Sequence, residues 1–178
     1  MNKNKTLVVN CLGGPGTGKS TMAASIFSAL KWNCINCELV SEFAKDLVWE
    51  KRHKTFENQI YIFGKQHHKI YRLVGQVDII VTDSPILLTP IYDLEKRECL
   101  KQLVLNEYHK VSNLNIFLNR KKIYQPIGRN QNEDDAKLKD VEIKNFLKEN
   151  NIPFFEITCE TPSIPVIMAL IKEIYENK

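Results

Sequence analysis

Eight residues near the start of the chain have types and a spacing that suit phosphate binding. They read G-x-x-x-x-G-K-S and stand between a short apolar run and a stretch with helical periodicity. Glycines allow a loop to curl so that successive backbone N–H groups point at phosphate oxygens, and the positive end of the following helix strengthens the attraction. We therefore predict a phosphate-binding loop of the Walker A type. Its residues are Gly13, Gly14, Pro15, Gly16, Thr17, Gly18, Lys19 and Ser20, and Thr21 follows as a further predicted nucleotide contact.

Two side chains of this loop have specific predicted roles. In the Walker A pattern the lysine contacts the β- and γ-phosphates and the next hydroxyl binds Mg²⁺. Lys19 and Ser20 occupy these two positions. A glycine-rich turn without a ligand is the alternative, and the position of the motif between a strand and a helix disfavours it. The predicted cofactors are a nucleoside triphosphate, ATP in the first place, and Mg²⁺.

A second candidate metal ligand follows the most strand-like segment of the chain. Residues 77–82 read VDIIVT, and Asp83 comes directly after them. An acidic residue at the end of a strand beside a phosphate loop is a typical magnesium ligand in nucleotide-binding proteins. Asp83 is therefore the candidate, with a turn or helix-capping role as the alternative.

Two nearby sequences argue against hydrolytic classes. ATP-driven motors often place a water-activating glutamate next to the strand-end aspartate, whereas Ser84 and Pro85 stand here. Ras-type GTPases carry an Asn-Lys-x-Asp motif that selects guanine, whereas residues 119–122 read NRKK. Both differences favour transfer to a positioned acceptor from which water is excluded.

In these features the chain resembles the small P-loop kinases, especially the ribosylnicotinamide kinase domain and the nucleoside and thymidylate kinases. The resemblance spans most of the chain. It depends on GGPGTGKS, on Glu42 in VSEFAKDL, on QIYIFGKQHHKIY, on VTDSP and on GRNQNEDDA.

The resemblance implies roles for three further residues. In such kinases a carboxylate just beyond the second strand orients the acceptor hydroxyl or accepts its proton, and Glu42 is in that place, with Asp46 one helical turn later as the reserve candidate. A role limited to the helix dipole is the alternative for Glu42. These kinases also fold a lid over the triphosphate, and Arg120 and Arg129 are the arginines that would stabilise the transferred charge. Exposed, solvated arginines are the alternative.

The elements that must position these groups are predicted to alternate between strand and helix. Apolar β-branched runs indicate strands, and apolar residues at steps of three and four indicate helices with one packed face. This alternation is typical of an α/β three-layer sandwich with a mainly parallel five-stranded sheet, here of the P-loop NTPase architecture, in which ligands bind at the carboxyl ends of the strands. Strands are predicted over residues 6–11, 37–40, 77–82, 115–118 and 154–157, and helices over residues 19–30, 42–50, 55–74 with Thr55 as N-cap, 94–110, 134–149 and 162–175.

Length, charge and cysteine content set the remaining limits. The 178 residues, 43% of them hydrophobic, fit a single domain over 1–178 with a lid-like loop at about 119–135. A net charge of +4 suits anionic ligands without indicating a dedicated nucleic-acid binder. Five cysteines are an odd number in a chain of a size that needs no disulfides, so reduced thiols and a cytoplasmic location are predicted. The lack of a long uncharged apolar run predicts a soluble protein without a membrane segment.

The leading hypothesis is an ATP- and Mg²⁺-dependent kinase that moves the γ-phosphoryl group onto a small-molecule acceptor, namely a nucleoside, a nucleotide or a related riboside. One alternative is a kinase that acts on a hydroxyl of nucleic acid, at an end or on a hydroxymethylated base. Another is a regulator that binds ATP and transfers nothing. The pattern does not identify the acceptor, and it leaves the oligomeric state open, with a homodimer as one option.

Overall fold

Five parallel strands form one sheet in the computed structural model, which describes residues 6–121 and 133–176. The order across the sheet is second, third, first, fourth, fifth, and every neighbouring pair is parallel. The first and third strands are mostly apolar, contain β-branched residues and are buried throughout, as is typical of central strands of a parallel sheet. The strands are β1 (Leu7–Leu12), β2 (Cys37–Val40), β3 (Ile79–Thr82), β4 (Ser112–Asn119) and β5 (Phe155–Thr158).

Helices connect the strands on both faces of the sheet. Their bounds are α1 (Lys19–Trp32), α2 (Ala44–Trp49), α3 (His53–Glu57), α4 (Gln59–Tyr71), α5 (Thr89–Tyr92), α6 (Glu98–Tyr108), α7 (Glu133–Glu149) and α8 (Ser163–Glu176). A 3-10 turn, Ile86–Leu88, leads into α5. In the part of the chain that the structure describes, no helix combines the length and apolar character that crossing a membrane would require.

Alternate residues of β1 pack against different helices. Val8 and Leu12 belong to one buried cluster together with residues of α4, α6 and α7. Leu7, Val9 and Cys11 belong to a second cluster together with residues of α1 and α8. Because successive side chains of a strand point to opposite faces, each face of the sheet is covered by its own helical layer. The predicted α/β three-layer sandwich with a mainly parallel five-stranded sheet is confirmed.

The segment predicted as one long helix over residues 55–74 is two helices. They are separated at Asn58, whose backbone φ of −82° and ψ of 85° are not helical. The Asn58 side-chain oxygen accepts a hydrogen bond from the Tyr61 backbone N–H at 3.2 Å and thereby caps α4. Asparagine offers the backbone this local alternative to a continuous helix. The prediction of Thr55 as N-cap was wrong, because Thr55 lies within α3.

The carboxyl edge of the sheet brings three parts of the chain together. Asn10 of β1 and Val40 of β2 both pair with Thr82 of β3, so these neighbouring strands end at the same edge. The phosphate loop follows β1, Glu42 follows β2 and Asp83 follows β3. The topology thus gathers the candidate groups where parallel sheets bind ligands.

Candidate active site

The predicted phosphate loop, residues 13–18, connects β1 to α1. Gly18 has a φ of 94°, in the left-handed region, and occupies the N-cap position of α1. A Cβ atom on Gly18 would lie 2.4 Å from the Cys159 Sγ, which is closer than non-bonded atoms approach. Both the backbone angle and this contact therefore require glycine at position 18.

Lys19 is tied to the loop from which it extends. Its Nζ donates a hydrogen bond to the Gly14 carbonyl at 2.9 Å. Burial lowers the pKa of Lys19, and the nearby carboxylates of Glu42, Asp83 and Asp140 act in the opposite direction. An ammonium group has three N–H donors, so the bond to Gly14 leaves donors for phosphate oxygens.

Asp83 carries an unsatisfied buried oxygen. The residue is 5% exposed, and its Oδ1 has no hydrogen-bond partner among the described residues. Burying a carboxylate oxygen without a donor or cation costs free energy, and a bound cation would remove that cost. Ser20, the other candidate ligand, lines the same cavity as Ser84, the neighbour of Asp83. Within residues 6–121 and 133–176 no three His, Cys, Asp or Glu side chains cluster as a metal site, so Mg²⁺ held by Ser20 and Asp83 would take its other ligands from phosphate and water.

Replacement of Asp83 by asparagine is expected to weaken ATP binding in Mg²⁺ much more than ATP binding in EDTA, because the carboxylate would act through the cation. Titrations of the folded variant under both conditions measure the difference, and we expect a loss of about tenfold or more only with Mg²⁺. Asp46→Asn removes an exposed carboxylate and serves as the control. Equal weakening in both conditions would assign Asp83 a purely structural role at the turn after β3.

Glu42 and Lys19 line one cavity of about 400 Å³ at the carboxyl edge of the sheet. Burial raises the pKa of Glu42, and the positive charge of Lys19 opposes that rise. A carboxylate with a raised pKa is a better proton acceptor, provided that it is ionised. The cavity is also bordered by residues of α2, α4 and α5. Its volume is large enough for a small organic molecule beside the phosphate loop.

Two aromatic side chains, Trp49 and Tyr92, line the same cavity. Trp49 ends α2 and is 63% exposed, whereas Tyr92 ends α5 and is half-buried. Aromatic faces beside a polar cavity can pack against the ring of a ligand. Sequence reasoning missed both residues, because no local pattern tells which side of α2 and α5 faces the cavity.

Of the two arginines of the predicted lid, the structure describes only Arg120. Arg129 lies outside the described residues. Arg120 follows β4, and one of its terminal nitrogens donates to the Pro15 carbonyl at 2.7 Å, so it contacts the phosphate loop. Its Nε donates to the Asp140 carboxylate at 2.5 Å. Arg120 is thus held by protein groups beside the loop, and Asp140 is a site residue that no motif indicated.

A second cavity, of about 380 Å³, lies beside the first turns of α1 and the segment that follows β5. Thr21 lines this cavity and the first one, so the start of α1 stands between them. Lys121 and Glu160 also line the second cavity and form an ion pair with each other. A ligand that spans both cavities would pass the phosphate loop.

Sequence comparison places the chain in a family. A profile described as an AAA domain matches residues 8–162, which is most of the chain. The chain belongs to this AAA domain family. No curated protein sequence matches this AAA domain protein.

Solved structures that share the fold of this AAA domain include NadR, a deoxyadenosine kinase and a thymidylate kinase. NadR in complex with NR has a TM-score of 0.67 and 16% identity, over 93% of this chain and 51% of that chain. Deoxyadenosine kinase from M. mycoides, with dCMP and dCDP bound, has a TM-score of 0.60 and 18% identity, over 93% and 99%. Thymidylate kinase from Ehrlichia chaffeensis has a TM-score of 0.55 and 15% identity, over 95% and 98%. The predicted P-loop fold of the nucleoside and nucleotide kinase type is confirmed.

Proposed function

We propose that this AAA domain is an ATP- and Mg²⁺-dependent kinase that transfers the γ-phosphoryl group to a nucleoside, a nucleotide or a related small riboside. The observation that supports this proposal most directly is the cavity of about 400 Å³ that Lys19 and Glu42 line together. Phosphoryl transfer needs a cation at the transferred phosphate and a group that orients the acceptor, and these two residues have those properties. Kinases of nucleosides and nucleotides are among the solved structures with this fold, which supports the same activity.

The donor is proposed to bind with its phosphates on the loop and its base in the cavity of about 380 Å³. The backbone N–H groups at the start of α1 and the Lys19 ammonium would hold the phosphates. The cavity lies beside the first turns of α1 and is bordered by Lys121 and Glu160 at its polar side. Its size and its place beside the loop support a nucleobase as the occupant.

Ser20 and Asp83 would hold Mg²⁺, and the ion would neutralise charge on the phosphate oxygens. The unsatisfied Asp83 Oδ1 supports this assignment, because the buried oxygen has no other partner among the described residues. Residues of the chain itself would position the phosphates and stabilise their charge. The loop fixes the orientation of the phosphates, and Lys19 contacts the oxygens on which charge is concentrated.

The acceptor is proposed to occupy the cavity between Glu42 and the two aromatic residues. Glu42 would accept a hydrogen bond from the acceptor hydroxyl and take its proton during transfer. Trp49 and Tyr92 would pack against the ring that the hydroxyl-bearing sugar carries. This arrangement favours a small ring-bearing acceptor.

Arg120 and Arg129 remain proposed lid residues that stabilise the transferred charge. An arginine presents up to five N–H donors in one plane, and a fork of this kind suits phosphate oxygens. The contact between Arg120 and the Pro15 carbonyl supports a place for Arg120 next to the phosphates. For Arg129 the support is its position in the lid-like sequence alone.

A transfer screen with radiolabelled ATP tests the proposed function. The protein is incubated with Mg²⁺ and, separately, with nucleosides, nucleoside monophosphates, nicotinamide riboside and oligonucleotides. We expect label on a small-molecule acceptor, and none when Lys19→Ala replaces the wild type. Label on oligonucleotides alone would assign a nucleic-acid acceptor, and ATP binding without any transfer would assign a regulatory role.

A further inference from the structure

The carboxylate of Asp140 joins the phosphate loop to α7. Its Oδ1 accepts a hydrogen bond from the Gly14 backbone N–H at 2.5 Å, and its Oδ2 accepts one from the Arg120 Nε at 2.5 Å. Gly14 and Asp140 are 126 positions apart in the chain, so only the tertiary fold creates this contact. One carboxylate therefore bridges a loop amide and an arginine.

Arg120 completes the bridge from its other end. Its terminal nitrogens donate to the Pro15 carbonyl at 2.7 Å and to the Ala136 carbonyl at 2.9 Å. Because a guanidinium is rigid and planar, bonds to three separate groups fix its orientation as well as its position. Lys19 donates to the Gly14 carbonyl, so both polar backbone groups of Gly14 are bonded.

The loop and α7 approach each other without space for a side chain. A Cβ atom on Gly14 would lie 2.7 Å from the Ala136 carbonyl oxygen and 2.8 Å from the Asp140 Oδ1. The side chains of Arg120 and Asp140 are only 17% and 16% exposed. Water competes little for such a pair, so removing one partner leaves the other with a poorly satisfied charge.

We propose that Asp140 is a positioning residue for nucleotide binding, which holds the Gly14 amide and the Arg120 guanidinium in the arrangement that the phosphate loop needs before a triphosphate binds. Asp140 acts through these two groups and not by touching the nucleotide. This role rests on the proposed function in one respect, that ATP is the ligand. ATP affinity is measurable whether or not phosphoryl transfer follows. Failure of the proposed kinase activity therefore does not imply failure of the proposed role of Asp140, and the reverse also holds.

The expected effect follows from preorganisation. A site that is competent for only a fraction of the time loses affinity in proportion to that fraction. In Asp140→Asn the amide oxygen can still accept from Gly14, but the charge that holds Arg120 is gone and an NH₂ group stands among N–H donors. ATP binding would then have to order the loop and Arg120, and the free energy spent on this ordering would lower the ATP affinity.

Equilibrium titration with ATP measures this loss, and a double-mutant cycle assigns it. We expect Asp140→Asn to weaken ATP binding about tenfold in the wild-type background and about twofold or less in the Arg120→Ala background, because coupled residues are not additive. Glu156→Gln is the matched control. Glu156 accepts from Lys144 of α7 at 2.7 Å, so the control removes another ion pair of the same helix, and we expect its ATP affinity to equal that of the wild type.

Two outcomes would overturn the assignment of Asp140. One is wild-type ATP affinity in a folded Asp140→Asn protein, and the other is equal weakening in both backgrounds, which would mean that Asp140 does not act through Arg120. Melting temperatures of all variants test whether they fold. Should Asp140→Asn fail to fold, Asp140→Glu carries the test, because it keeps the charge while the longer side chain moves the carboxylate from its place between the Gly14 amide and the Arg120 Nε. We expect about tenfold weaker ATP binding in Asp140→Glu as well, and unchanged affinity would equally overturn the assignment.

Discussion

Replacement of Lys19 by alanine is expected to lower the turnover number on the order of a thousandfold while the protein stays folded. The Lys19 ammonium would contact the phosphate oxygens directly, whereas Lys45, the other lysine that lines the cavity, lies exposed on α2. Its removal deletes one hydrogen bond, to the Gly14 carbonyl. Because burial lowers the pKa of Lys19, the folded protein holds this charge at some cost, and its loss should not unfold the chain.

Steady-state rates at saturating ATP, together with melting temperatures, measure the effect of Lys19→Ala. Lys45→Ala is the matched control, since Lys45 lines the same cavity but lies exposed on α2. We expect Lys45→Ala to keep most of the activity. A folded Lys19→Ala protein with undiminished turnover would contradict the phosphate-binding role of the loop.

Replacement of Glu42 by glutamine is expected to lower kcat/KM by about a hundredfold to ten-thousandfold, the range for loss of a general base. The pH profile gives the sharper result. Burial raises the pKa of Glu42, so the wild-type enzyme should lose activity as the pH falls through that raised value, where the carboxylate becomes protonated and can no longer accept a proton. Glutamine does not titrate, so the acid limb of the profile should vanish along with most of the rate.

Rates of wild type, Glu42→Gln and Asp46→Asn across the acid range measure this effect. Asp46 is exposed on α2, and we expect its variant to keep the wild-type profile. A loss of rate in Asp46→Asn with a nearly normal Glu42→Gln would transfer the acceptor-side role to Asp46. An unchanged acid limb in Glu42→Gln would assign that limb to another group.

The phosphate loop and the layer architecture were predictable because their determinants are local. Eight consecutive residues determine the loop, and the β-branched run before it and the helical periodicity after it place it between β1 and α1. The strand-end position of Asp83 follows from the neighbouring run of apolar residues in the same way. Hydrophobic periodicity reports which residues are buried, and this was enough to predict a parallel sheet covered by helices.

Local sequence patterns do not predict a strand boundary where the first residues of the strand are polar. The strand β4 begins at Ser112, earlier than the predicted residue 115, although its first residues are polar. The Asn10 Nδ2 donates to the Oδ1 atoms of Asn113 and Asn115 at 3.0 Å each, so these amides are satisfied between strands. Such pairing is visible only when β1 and β4 stand side by side.

The sequence by itself determined the loop and the alternation of five strands with helices, and it indicated the candidates Lys19 and Asp83 by motif and Glu42 by its resemblance to small P-loop kinases. The tertiary structure alone decided that Trp49 and Tyr92 line the cavity and that Asp140 meets the loop. The reason is physical. A motif describes backbone conformation over a few residues, whereas these contacts depend on how helices pack, and helix packing joins positions that are far apart in the chain.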